Sequence, residues 1–107
     1  MIKVLGLGDN VVDKYMHTKK MYPGGNALNF SVYSKLMGMH SEYLGVFGDD
    51  EPAKHVYSVL KSLDIPMSHC RYYCGENGYA KVAIKEGDRI FIGSNKGGVA
   101  KNNPIIL

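Results

Sequence analysis

The chain lacks any apolar stretch approaching the roughly 20 residues that a membrane-spanning helix needs. Its start, Met1-Ile2-Lys3-Val4, has no basic segment ahead of a long apolar run, so no secretory signal is expected and a cytoplasmic protein is. Net charge is small: 13 Lys and Arg stand against 10 Asp and Glu, a net +3. That excess is small and its lysines are scattered, which argues against a nucleic-acid partner. Cysteine is nearly absent. Cys70 and Cys74 sit four apart beside His69, without the CxxC spacing or the four ligands that zinc takes. Two reduced structural thiols are the expectation, and a redox pair stays open because in a strand both would face one side.

Two nucleotide motifs are missing as well. Gly6-Leu7-Gly8 has no third glycine of a dinucleotide fingerprint, because position 11 is Val11. Ser94-Asn95-Lys96-Gly97-Gly98 is no phosphate-binding P-loop, since the lysine precedes the glycines. What remains is a globular composition, 45% hydrophobic and 21% charged over 107 residues. A chain of that length makes one domain at most, burying roughly 65% of its unfolded surface.

The most informative stretch is Tyr22-Pro23-Gly24-Gly25-Asn26-Ala27-Leu28-Asn29-Phe30. Two glycines allow a turn without a Cβ penalty and a close backbone approach to a ligand. Asn26 can cap the helix that follows. Ala27, Phe30, Tyr33 and Met37 are spaced as the face that packs on a sheet, and Gly38 ends the helix. Asn29, in the first turn, can offer an amide to a polar ligand. A helix N-terminus of this kind suits a hydroxyl-rich or anionic molecule. On this stretch alone, an ordinary loop-to-helix turn is the favoured reading.

Taken in order, the chain alternates strands and helices. Ile2 to Gly8 reads as a buried strand. Asp9-Asn10-Val11-Val12-Asp13 follows, and acids past the carboxyl end of a strand sit where open α/β sheets bind ligands. Asp13 is therefore a candidate acceptor for hydroxyls, or simply a surface carboxylate. Lys14 to Met21 reads as a solvated strand or extended loop. Glu42 to Phe47 is a second strand, and Gly48-Asp49-Asp50-Glu51-Pro52 opens a second helix with acids suited to its positive end. Ala53, Val56, Tyr57, Leu60 and Leu63 form its apolar stripe, and Asp64-Ile65-Pro66 ends it. Arg71 to Tyr73, Tyr79 to Lys85 and Arg89 to Ser94 read as three strands with one wet face, joined by turns at 75–78 and 86–88. Val99 to Leu107 starts a new element and stops on the apolar Ile105-Ile106-Leu107.

Gly8-Asp9-Asn10-Val11-Val12-Asp13, then Gly24-Gly25-Asn26-Ala27-Leu28-Asn29, then Val46-Phe47-Gly48-Asp49-Asp50, resembles the N-terminal part of the ribokinase-like (PfkB) carbohydrate kinases. With Asp88-Arg89-Ile90-Phe91 ahead of Gly97-Gly98-Val99, the pattern is most similar to the branch acting on fructoselysine, an Amadori sugar, at its 6-hydroxyl. The resemblance runs from Met1 to about Ala100. Leu28 departs from the alanine common there, a packing change. The implied fold is α/β: the N-terminal part of a doubly wound sheet with a small β lid, truncated before the nucleotide-binding half. Residues 1–107 would form the sugar-binding and lid part of one incomplete kinase domain. Asp13 would match the aspartate that holds sugar hydroxyls, Gly24 and Gly25 the glycines whose backbone meets the sugar, and Asn29 the asparagine beside them. Asn95 falls near where some relatives place a sugar-contacting side chain. The resemblance also implies ATP and Mg²⁺ for the complete enzyme, and a homodimer through the lid. The Gly-Ala-Gly-Asp segment that supplies the family's catalytic aspartate and anion-stabilising helix end does not occur in this sequence. The chain alone is thus expected to bind neither nucleotide nor metal and to be inactive. A reading of another class is a non-catalytic remnant or a sugar- or partner-binding module.

Overall fold

The structure, a computed structural model, describes residues 2–8 and 10–104. The element order is β1 (Lys3–Leu7), β2 (Val11–Tyr15), β3 (Lys20–Gly24), α1 (Asn26–Leu36), β4 (His40–Leu44), β5 (Val46–Phe47), α2 (Glu51–Ser62), β6 (Arg71–Tyr72), β7 (Tyr79–Lys85), β8 (Asp88–Ser94) and a 3₁₀ turn at Val99–Asn102. The expected terminal run Ile105-Ile106-Leu107 lies outside the described residues, and so does Asp9.

Three groups of strands form. β1 and β4 pair in parallel, β5 and β6 pair in parallel, and a mixed sheet runs β3-β2-β7-β8. β2 is antiparallel to β3 and parallel to β7, while β7 and β8 form a hairpin. Its turn uses Glu86 at φ 52° and Gly87 at φ 82°, the positive angles expected of 86–88.

One core joins these parts. Val12, Leu28, Tyr43, Phe47, Ala53, Val56, Leu60 and Ile65 are buried together, with Met21 and Tyr79 of the four-stranded sheet packed against them. α2 contributes its predicted stripe, with Ala53, Val56 and Leu60 inward, whereas Tyr57 is exposed. Asp50 caps α2 by accepting from the Ala53 N–H at 3.2 Å, and Pro52 sits in the first turn, as the sequence suggests.

α1 departs from expectation. Its buried residues are Leu28, Ser31 and Ser34, while Phe30, Tyr33 and Met37 are exposed. The reason is the closeness of helix to sheet. A side chain at Gly6 of β1 would run into the Ser31 hydroxyl and the Ala27 carbonyl, so only small residues fit between. The serines remain satisfied there: Ser31 Oγ donates to the Glu42 carbonyl at 2.9 Å and Ser41 Oγ to the Ser31 carbonyl at 2.8 Å. The cap also differs. Gly25 is the N-cap at φ 99°, and Asn26 is already helical and exposed, with no side-chain cap. Gly38, at φ 89°, ends the helix as expected.

Other strand expectations are corrected in detail. β1 is not buried throughout: Leu5 and Leu7 are exposed, because β4 and α1 cover only part of it. The 42–47 run is two strands, broken at Gly45, whose carbonyl accepts from the Arg71 N–H at 2.9 Å. Residues 75–78 are no hairpin turn, since β6 pairs with β5 and the segment crosses to β7. Cys70 and Cys74 flank β6 rather than sharing a strand, both as free thiols. Cys70 donates to the Tyr43 carbonyl at 3.3 Å, and burial pushes its thiol up from the usual range. No metal-holding group of His, Cys, Asp and Glu occurs among the described residues, and no helix among them is long and apolar enough to cross a membrane.

Candidate functional site: a carboxylate beside a glycine-opened helix

Asp13 is a strand residue, not a loop residue past β1 as the sequence suggests. Val11 to Tyr15 alternate across β2, so Val12 enters the core while Val11, Asp13 and Tyr15 share the opposite face. Residues opposite one another on paired strands point the same way. A row therefore crosses the sheet at Tyr22, Asp13, Ala80 and Ser94. A second row holds Lys20, Tyr15, Val82 and Phe91.

The glycine pair lies against this face. Gly24 is opposite Val11, and a Cβ there would stand 2.8 Å from the Val11 carbonyl and 3.1 Å from Asp13 Oδ2. Only glycine lets β3 close so tightly beside the carboxylate. Gly25, at φ 99°, then turns the chain from β3 into α1 in a conformation that side chains rarely adopt. Asn29 sits one turn in, its N–H bonded to the Gly25 carbonyl at 2.9 Å. The carboxylate of Asp13 and the amide of Asn29 have no hydrogen-bond partner among the described residues, so both are available to a ligand. Partial burial pushes the Asp13 carboxyl above the usual carboxylate range, and the nearby Arg89 charge pulls the other way.

Asn95 follows Ser94 at the end of the Asp13 row, but its amide is engaged. Oδ1 accepts from the Tyr79 N–H at 2.9 Å and Nδ2 donates to the Asn77 carbonyl at 2.7 Å. Asn77 in turn is fully buried. Its Nδ2 donates to Asn10 Oδ1 at 2.7 Å, its Oδ1 accepts from the Gly48 N–H at 3.1 Å, and Asn10 Nδ2 donates to the Val46 carbonyl at 2.8 Å. Three asparagines thus tie the start of β7 to β5 and to the approach to β2. Asp49 and Asp50 belong to the same junction, accepting from the Gly75 and Asn77 N–H groups at 3.0 and 3.2 Å. The acids at α2 therefore cap the helix and also hold the crossover. A hollow of about 230 Å³ lined by Asn10, Val11, Lys96 and Gly97 adjoins this end of the sheet.

The sequence did not point to Tyr15, Tyr22 and Arg89 as members of this face. Tyr15 and Tyr22 meet edge-on at 5.3 Å, and Arg89 Nη1 donates to the Tyr15 hydroxyl at 3.1 Å. Period-2 alternation from Asp13 to Tyr15 is the signal that could have found the first of them.

The fold is α/β, and at one face of its four-stranded sheet a carboxylate and a glycine-opened helix lie side by side. Residues 1–105 match the pfkB family of carbohydrate kinases, and the chain belongs to that family. It is 48% identical over 99 residues to the fructosamine kinase FrlD of Bacillus subtilis, covering 92% of this chain and 35% of that protein. It is 31% identical over 85 residues to the fructoselysine 6-kinase of Escherichia coli, covering 79% of this chain and 33% of that one. The chain thus spans about a third of the length of these relatives. Among solved structures, an archaeal nucleoside kinase of the ribokinase family from Methanocaldococcus jannaschii superposes with a TM-score of 0.76 at 26% identity, over 91% of this chain and 38% of that one. A fructokinase with bound ATP from Xylella fastidiosa shares the fold, with a TM-score of 0.73 at 17% identity, over 87% of this chain and 30% of that one.

Proposed function

We propose that this segment is the sugar-holding part of an ATP-dependent kinase that phosphorylates the 6-hydroxyl of fructoselysine or a similar Amadori sugar. The observation that carries this reading is the Asp13 carboxylate, without a hydrogen-bond partner among the described residues, packed against Gly24 at the mouth of a helix opened by Gly25. An ionised carboxylate only accepts hydrogen bonds, and sugar hydroxyls donate them. The backbone N–H groups of the first turn of α1 and the Asn29 amide supply the complementary donors. Together they would fix a polyol while leaving one hydroxyl free for attack. The names of the relatives, a fructosamine kinase and a fructoselysine 6-kinase, support the substrate class.

ATP would supply the phosphoryl group and Mg²⁺ would neutralise its developing charge. The residues here are suited to the sugar, not to either of those. On this reading the 107-residue chain alone turns over no substrate. The complete enzyme would pair through the four-stranded sheet, whose edge strand β8 exposes Ile90, Phe91 and Ile92. The test is a whole kinase in which this segment replaces the matching third of the Bacillus subtilis relative. ATP-dependent formation of a 6-phosphate on fructoselysine is expected, with none from the 107-residue chain. A folded hybrid that phosphorylates fructose or ribose but no Amadori sugar would overturn the substrate assignment.

A further inference from the structure

The face that carries Asp13 continues into a second feature. Two residues along β2, a step of roughly 6–7 Å, Tyr15 holds the Arg89 guanidinium through Nη1 at 3.1 Å. Arg89 stands on β8 opposite Ile84, one row beyond Tyr15, and its side chain leans back over that row. Lys20 of β3 is the residue opposite Tyr15. The face is therefore polarised, negative at Asp13 and positive around Tyr15. Between the two ends lie apolar surfaces, the Tyr15 and Tyr22 rings packed edge-on and Val82 beneath them. One N–H of Arg89 is spent on Tyr15. Its remaining donors form a planar fork that matches a carboxylate.

We infer that Arg89 is a specificity determinant of this site, receiving the carboxylate of the amino-acid portion of a glycated amino acid whose sugar is held at Asp13. Tyr15 is a positioning residue that fixes the guanidinium. The methylene chain joining the two ends would lie along the tyrosines. This rests on the proposed sugar site and adds to it a reason why an Amadori compound would be preferred over the bare sugar.

The test uses the whole hybrid kinase and two substrates, fructoselysine and the same sugar carried on a simple alkylamine without a carboxylate. Arg89→Gln should raise KM for fructoselysine about ten- to a hundredfold, the range of a lost charge-assisted pair. At neutral pH, above the acid limb, it should leave kcat, and all constants for the alkylamine compound, within about twofold. Arg89→Lys should recover part of the loss, because it restores charge but not the fork. Tyr15→Phe should raise KM a few-fold for fructoselysine only. Equal losses on both substrates, or no loss in Arg89→Gln, would overturn the inference while leaving the sugar site standing. A parent enzyme that phosphorylates neither compound would instead remove the reading on which it rests.

Discussion

The two halves of the four-stranded sheet's surroundings are built on different terms. On one side, Val12, Met21 and Tyr79 pack into the core with α1 and α2, and polar groups are paired through Asn10, Asn77 and Asn95. Toward the other side and the outer edge, Asp13 and Asn29 have no partner among the described residues, and every residue of β8 is exposed. Where burial is complete the chain satisfies itself; where it is not, the groups presented are a carboxylate, amides and a cation. On the proposed reading, stability is concentrated in the first region and recognition in the second. The difference teaches that a substitution should move one of these properties and hardly touch the other.

The largest effect should come from breaking the paired side. Asn77→Ala leaves the buried Gly48 N–H without an acceptor and Asn10 Oδ1 without a donor. Each orphaned group costs about 1–3 kcal/mol, so a loss of about 2–6 kcal/mol is expected from urea unfolding of variant and parent side by side. Ile90→Ala on the exposed strand should stay within about 0.5 kcal/mol. Comparable losses at both positions would erase the contrast between the regions.

Asp13→Asn tests the recognition side and should be the next largest. The variant keeps the shape but turns part of the acceptor into a donor that meets sugar donors. Charge-assisted hydrogen bonds are worth about 1.5–3 kcal/mol, which corresponds to roughly a ten- to few-hundredfold fall in kcat/KM for the sugar in the whole hybrid kinase. The KM for ATP should barely change. Intact sugar kinetics with unchanged stability would reduce Asp13 to a surface residue.

Much of this division could be read before the structure. The α2 stripe and its Asp50 cap, the 86–88 hairpin and the glycine-opened α1 all rest on local rules of period, capping and turn chemistry. α1 failed because burial there is set by an approach distance that the sequence does not state. Ser31 and Ser34 are inside since Gly6 lets the helix come close, and the greasier Phe30 and Tyr33 are left out. Asn77 reads as a turn residue from its Gly-Glu-Asn-Gly context, whereas its role depends on Asn10, 67 residues away. Asp13 is legible as a candidate through the family resemblance and its position after a strand. Its neighbours Tyr15 and Arg89 are not, because their meeting depends on the register of β2, β7 and β8.

The smallest expected effect sharpens the comparison through pH. Burial raises the Asp13 carboxyl above its ordinary value of 3.8, and Arg89 opposes that rise. A carboxyl with a raised folded value binds its proton more tightly when folded. It therefore contributes stability that is fully present below the unfolded value and lost as pH rises through the folded one. On the proposed reading sugar binding has the opposite requirement, since an acceptor for hydroxyls must be ionised. The acid limb of kcat/KM for the sugar should accordingly fall at a higher pH than an ordinary aspartate would give. Arg89→Gln removes the opposing charge and should move that limb further upward, even with the carboxylate-free substrate. Asp13→Asn should abolish the limb and flatten the corresponding change in stability. An acid limb unmoved by Arg89→Gln would mean that the two charges do not share one site, and the polarity of the recognition face would have to be redrawn.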